Sequence, residues 1–197
     1  MKGKGRMSYD AGTSATLTAE DERYLETWRQ VGQPTEHHKR LSALEGEWEF
    51  VTRWYRDAGA EPRESRGTTT VRSVFGGRFL EEQARGTLLD REDYEGRTII
   101  GYDYRRRKFF TAYYDNFQTA LIVSEGDWPE GSQTLNLRSS HHVDTLTGTH
   151  DGEGADVTIQ ITGRNRRTLQ ILEWTPDGHQ QYVATEIEYT RVGDASS

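Results

Sequence analysis

The chain has 197 residues, 32% of them hydrophobic and 29% charged, with a formal net charge of -7 and no cysteine. That length supports one substantial core with a terminal extension, and the lack of cysteine excludes disulfides, thiolate nucleophiles and cysteine-ligated metal or iron–sulfur centres. An acidic body makes nucleic acid a poor partner, and neither an apolar signal core nor a membrane-length apolar run is present, so a cytoplasmic protein with no membrane partner is expected.

Residues 1–17 are small and polar without periodicity and read as a loosely ordered tail. Over 18–44 the pattern turns helical. Thr18 is placed to cap, Glu20, Asp21 and Glu22 load the first turn, and Tyr24, Leu25 and Trp28 recur at helical spacing before Gly32. Pro34 then opens a second short helix to Leu44, with Leu41 and Leu44 as its apolar pair. These helices are suited to lid one end of a barrel.

From 45 to 192 the period falls to two. Trp48, Phe50, Thr52 and Trp54 share one face of the first strand, opposed by Glu47, Glu49 and Arg53, which gives one dry face and one wet face. About ten strands are predicted, over 46–56, 64–75, 78–88, 97–103, 108–116, 118–124, 133–143, 155–162, 168–174 and 180–192. Turn chemistry separates them at Gly76-Gly77, Asp127 to Gly131, Asp144 to Gly148 and Pro176-Asp177-Gly178. None has the continuous apolar run of a buried parallel sheet, so the class is mainly β, as an antiparallel barrel or a folded-over sheet. Residues 193–197 are expected to form a flexible C-terminus. The run Arg105 to Lys108, beside Phe109, Phe110, Tyr113 and Tyr114, superficially resembles a stacking platform for single strands, but a solvated hairpin tip is the plainer account.

Five ordered motifs carry a resemblance: His38-Lys39-Arg40-Leu41 through Leu44-Glu45-Gly46-Glu47-Trp48, Gly76 to Leu80, Gly101-Tyr102-Asp103, Tyr114-Asp115-Asn116 and Glu186 to Arg191. Together, over residues 36 to 192, they resemble the bacterial domain-of-unknown-function family 1579. That resemblance implies a single lipocalin-like (calycin) antiparallel β-barrel and no agreed activity. Similarity to lipocalins further implies that Trp48 on the first strand and Arg191 on the last pack together at the closed barrel end, a cation–π contact read as structural closure.

Candidate chemistry is sparse. Arg78 shares a strand face with Leu80 and Glu82, and an arginine turned into a barrel needs a carboxylate partner or an anionic ligand. Asp115 and Glu186 are the partners considered, so the alternatives are an internal ion-pair network and an anchor for a small acid. Trp54, Tyr102, Tyr113, Tyr114 and Trp174 supply aromatic area that either lines a pocket or packs the core. His141 and His142 are neighbours on a strand and face opposite ways, so they make no metal site alone, and a site completed by His150 and Asp151 is disfavoured. Haem is disfavoured too, because the glycine-repeated first strand of haem-binding barrels is missing. No serine triad, phosphate loop or dinucleotide fingerprint occurs. The expectation is a cofactor-free and metal-free barrel that binds a small molecule, aromatic or apolar with a carboxylate or other polar group. Ligand-binding candidates are Trp54, Arg78, Tyr102, Tyr113, Asp115 and Trp174. The alternative is a cofactor-independent cyclase or isomerase using Arg78, Asp115, Glu186 and His142. A homodimer through an outer patch at Phe110 and Tyr114 is a third reading.

Overall fold

Thr18 begins the first helix as its sequence requires. Its hydroxyl accepts from the Asp21 N–H at 3.2 Å while the Asp21 carboxylate accepts from the Thr18 N–H at 2.9 Å, a reciprocal capping box. The Thr18 hydroxyl also donates to the Asp21 carboxylate at 2.7 Å, and this bond, with that from the Thr18 N–H, holds the carboxyl below its usual range. Helix α1 then spans Ala19–Val31 and stops at Gly32, whose N–H returns to the Trp28 carbonyl. In this computed structural model residues 17–89, 91–139, 154–175 and 179–193 are described. The chain divides into two units, residues 1–33, which hold α1, and residues 34–197.

The second unit opens with α2 (Glu36–Leu41), a single 3-10 turn (Ser42–Leu44) and ten strands. They are β1 (Gly46–Trp54), β2 (Arg63–Val74), β3 (Phe79–Leu88), β4 (Glu92–Asp103), β5 (Lys108–Asp115), β6 (Ile122–Asp127), β7 (Thr134–Ser139), β8 (Asp156–Gly163), β9 (Arg166–Trp174) and β10 (Gln181–Arg191). Each pairs antiparallel with its neighbour in sequence, and β1 pairs with β10 to close the barrel. Closure leaves no edge strand among the described residues.

Alternation decides what faces inward. Trp48, Phe50 and Thr52 are buried on the inner face of β1, directly across from Arg191, Tyr189 and Ile187 of β10. At the end where β1 begins, Leu41 and Leu44 are fully buried beneath the strands, and Arg40 donates to the carbonyls of Trp128, Pro129 and Ser132 in the β6–β7 turn. The helix is thus tied across this end, the foot. The opposite end, the mouth, lies at Trp54, Leu88, Asp115 and Ile122.

Two predicted strands are displaced. β4 begins at Glu92, five residues before the predicted start, because the polar run ahead of Arg97 hides a strand whose one large inward group is Tyr94. β6 begins at Ile122 instead of Gln118, because the Asp115 carboxylate accepts from the N–H groups of Phe117 and Gln118 and holds that segment in a turn. β6 also ends three residues later than expected, at Asp127, and the other described strand ends lie within about two residues of expectation, a normal fraying distance. The predicted extension of β7 past residue 139 lies outside the described residues.

Candidate functional site

The foot is sealed by rings and a guanidinium pair. Trp48 donates its indole N–H to the Leu44 carbonyl at 3.1 Å, and Arg191 lies over the indole at 4.1 Å from the ring centre. Arg191 also donates to the Glu45 carbonyl, to Ala43 at 3.4 Å and to Arg164 at 3.2 Å. Gly46 makes room for this: its φ is +125°, and a Cβ there would overlap the Arg191 guanidinium. One layer up, Arg167 of β9 is only 3% exposed and sits 4.0 Å from the Tyr189 ring centre and 5.0 Å from that of Trp48. Its Nη2 donates to Glu82 Oε1 of β3 at 2.7 Å, and Thr69 donates to the same oxygen. A charge buried on this scale requires such a partner. Burial, with the Glu82 charge nearby, raises the Tyr189 phenol well above its ordinary range, so it stays neutral.

Above that layer the inner wall changes character. Val157, Leu169, Ile171 and Ile187 face inward by register, yet they are only half-buried. Between them and the strand ends the hydroxyl residues Thr52, Ser65 and Thr185 are covered. Across the barrel, Tyr94 of β4 and Tyr113 of β5 are also inward and half-buried, and their hydroxyls lie 3.1 Å apart. Tyr113 donates to Asp115 Oδ2 at 2.6 Å. Asp115, the last residue of β5, further accepts from Phe117 N, Gln118 N and Gln118 Nε2. Burial pushes both phenols upward, so neither ionises in the neutral range. Gly96 lies under this group; a Cβ there would overlap the Tyr94 phenol.

The structure brings together only part of the predicted set. Asp115 and Tyr113 meet at the mouth, and Trp54 ends β1 on the same inward face, 37% exposed at the rim. Arg78 does not join them: it sits in the β2–β3 turn at the foot and donates to the Phe75 carbonyl at 2.7 Å, because the two glycines end β2 before it. Glu186 alternates with inward Thr185 and Ile187 and therefore faces outward, where Arg53 and Gln170 bind it. Arg53 also bonds Glu188 and Glu64, and these carboxylates hold its guanidinium firmly protonated. The proposed meeting of Arg78, Asp115 and Glu186 is thus corrected to three separate places.

Tyr102 faces inward but at the foot, stacked by His37 at 4.3 Å and packed on Phe109, so it is core. Trp174, 43% exposed, follows inward Glu173 and lies on the outer face. Phe110 and Tyr114 are outward as expected, with Phe110 edge-on to Phe79. His142, with His141, His150 and Asp151, lies outside the described residues. Among the described residues no cluster of three His, Asp or Glu could hold a metal ion. The Glu82–Arg167 pair and Tyr94 were missed. Glu82 carried a signal, sharing a face with Leu80, but Arg167 lies just before the predicted start of β9 and Tyr94 lies in a segment read as loop.

These features define an up-and-down, ten-stranded antiparallel barrel with a sealed foot and a polar chain at its mouth. The model of the family described as protein of unknown function (DUF1579) matches residues 33–191, and the chain belongs to that family. Among solved structures, Rv2717c from M. tuberculosis superimposes with a TM-score of 0.57 at 13% identity, covering 82% of this chain and 100% of that one, a likeness of fold alone. A redesigned β-barrel, b11L5F_LGL, gives 0.38 at 11% identity over 77% of this chain and 94% of its own. Comparison with curated proteins gives no match. Among the described residues no helix is long and apolar enough to cross a membrane, which says nothing of strands.

Proposed function

We propose that the protein binds a small, largely apolar molecule with one polar group in the open half of its barrel. The observation that carries this reading is the half-burial of Val157, Leu169, Ile171 and Ile187, aliphatic side chains that face the barrel axis and yet keep accessible surface. Side chains of this kind that serve only closure are covered, as Leu80, Ile100 and Leu135 are at 3%, 1% and 1% exposure. Apolar surface held inside a closed sheet is what an apolar ligand removes from water, at about 25 cal/mol per Å2. The neutral phenols Tyr94 and Tyr113 supply a fixed polar contact beside it.

The neutral fluorescent probe N-phenyl-1-naphthylamine tests this. Its emission should rise on titration with the protein, and Ile171→Trp, which fills the upper half, should weaken binding at least about tenfold with an unchanged far-UV spectrum. Equal affinity for the filled variant, or no emission change with the native chain, overturns the reading.

A further inference from the structure

Resting on that binding reading, we infer that the mouth recognises the polar end of its ligand as a hydrogen-bond donor, a protonated amine above all, and selects against a carboxylate. The reason is the direction in which protons must run along Tyr94, Tyr113 and Asp115. A carboxylate has acceptor sites only. Asp115 receives the Phe117 N–H at 2.8 Å, the Gln118 N–H at 3.1 Å, the Gln118 side-chain amide at 2.9 Å and the Tyr113 hydroxyl at 2.6 Å. The Tyr113 proton is therefore committed to Asp115, and only lone pairs of its oxygen face Tyr94. Tyr94, 3.1 Å away, must give its own proton to Tyr113. What Tyr94 Oη offers to any further group is lone pairs alone.

Geometry fixes this terminus. Asp115 is the direct cross-strand partner of Gly96, and Tyr113 of Thr98, so the chain runs across β4 and β5 on the inner face. Gly96 has no side chain to intervene, and the Tyr94 phenol occupies the space a Cβ would fill. Charge points the same way. Among the described residues, the inward wall below the rim residues Trp54 and Arg63 carries two cations, both at the foot: Arg167, bound to Glu82 and enclosed by the Trp48 and Tyr189 rings, and Arg191, held over the Trp48 indole and by the carbonyls of Ala43, Glu45 and Arg164. An incoming carboxylate thus meets an acceptor backed by the Asp115 charge, whereas to an ammonium the same acceptor is a partner whose negative end Asp115 reinforces.

The test displaces N-phenyl-1-naphthylamine with decylamine, decanol and decanoate at neutral pH, three competitors with one apolar body and different heads. Decylamine should displace at about tenfold lower concentration than decanoate, with decanol between, the size expected of one charge-assisted hydrogen bond. Asp115→Asn can turn the chain round: an amide donates to Tyr113, Tyr113 to Tyr94, and Tyr94 then presents its proton, so decanoate should gain at least about tenfold relative to decylamine. Tyr94→Phe keeps the Asp115 charge and removes the terminal oxygen, and the amine preference should fall about fivefold or more. This variant decides the matter if Asp115→Asn does not fold. A preference unchanged in Tyr94→Phe, or equal displacement by all three competitors of the native chain, overturns this inference while probe binding stands. No probe binding at all overturns the binding reading and this inference with it.

Discussion

At the foot of the barrel the guanidinium groups are held by named partners, Arg167 by Glu82 at its Nη2 and by two rings, with its buried Nε lacking a hydrogen-bond partner, and Arg191 by three carbonyls and the Trp48 indole. At the mouth β4 and β5 carry a carboxylate with four donors and two phenols that keep accessible surface. The difference follows from hydration. Where water is excluded, an unmatched charge costs several kcal/mol, so the foot works as an all-or-none assembly; where water reaches in, losing one contact is softened by solvation. Stability should therefore concentrate at the foot and selectivity at the mouth.

The largest effect is expected for Trp48→Ala, which deletes a fully buried indole, empties the ring under both guanidinium groups and orphans the Leu44 carbonyl. Urea denaturation should show a loss of about 4 kcal/mol. A loss below about 1 kcal/mol would mean the foot does not hold the barrel shut. Next, Arg167→Met leaves Glu82 without its cation and should cost about 3 kcal/mol, whereas adding Glu82→Gln to it should restore at least about 1 kcal/mol. A double variant no more stable than the single one would show that the pair is not coupled as its 2.7 Å contact requires.

At the mouth, Tyr113→Phe should lower stability by only about 1 kcal/mol, read from the same denaturation curves. An effect as large as that of Arg167→Met would erase the distinction between the two ends. The smallest effect concerns pH. His38 lies in α2, accepts from the Thr35 N–H at 3.0 Å through Nδ1 and meets Tyr102 edge-on. Partial burial, helped by repulsion from His37 and Arg78 and opposed by a hydrogen bond to the Tyr102 backbone, lowers its pKa below the ordinary histidine value of 6.5. The folded state then binds fewer protons than the unfolded chain, so this contribution is complete above 6.5 and is lost as the pH falls through the depressed folded value. Comparing urea midpoints at about pH 7.5 and about pH 5.5, His38→Gln should show a shallower fall than the native chain. Identical slopes would remove His38 from the account of the foot.

The inner face of β1 was legible because Trp48, Phe50 and Thr52 alternate with charged residues, and a period of two needs no tertiary information. Closure at Trp48 and Arg191 was legible as well, through the motifs that surround both residues. Glu186 was not, because its direction depends on the register of β10 against β1, and one residue of phase moves a side chain from lumen to solvent. Arg78 failed for a related reason: the strand starts at Phe79, one residue later than expected, and in the turn the Arg78 guanidinium reaches a local carbonyl.

What the sequence determined by itself, then, was the alternation, the turn positions and thus a ten-stranded antiparallel sheet with helices before it, all properties of neighbouring residues along the chain. Only the tertiary structure decided which charges meet. Glu82 and Arg167 are 85 positions apart, and Tyr94 and Tyr113 are 19 apart on separate strands. Such pairings are set by strand register and barrel closure, which are summed over every strand between them and leave no mark at either residue alone.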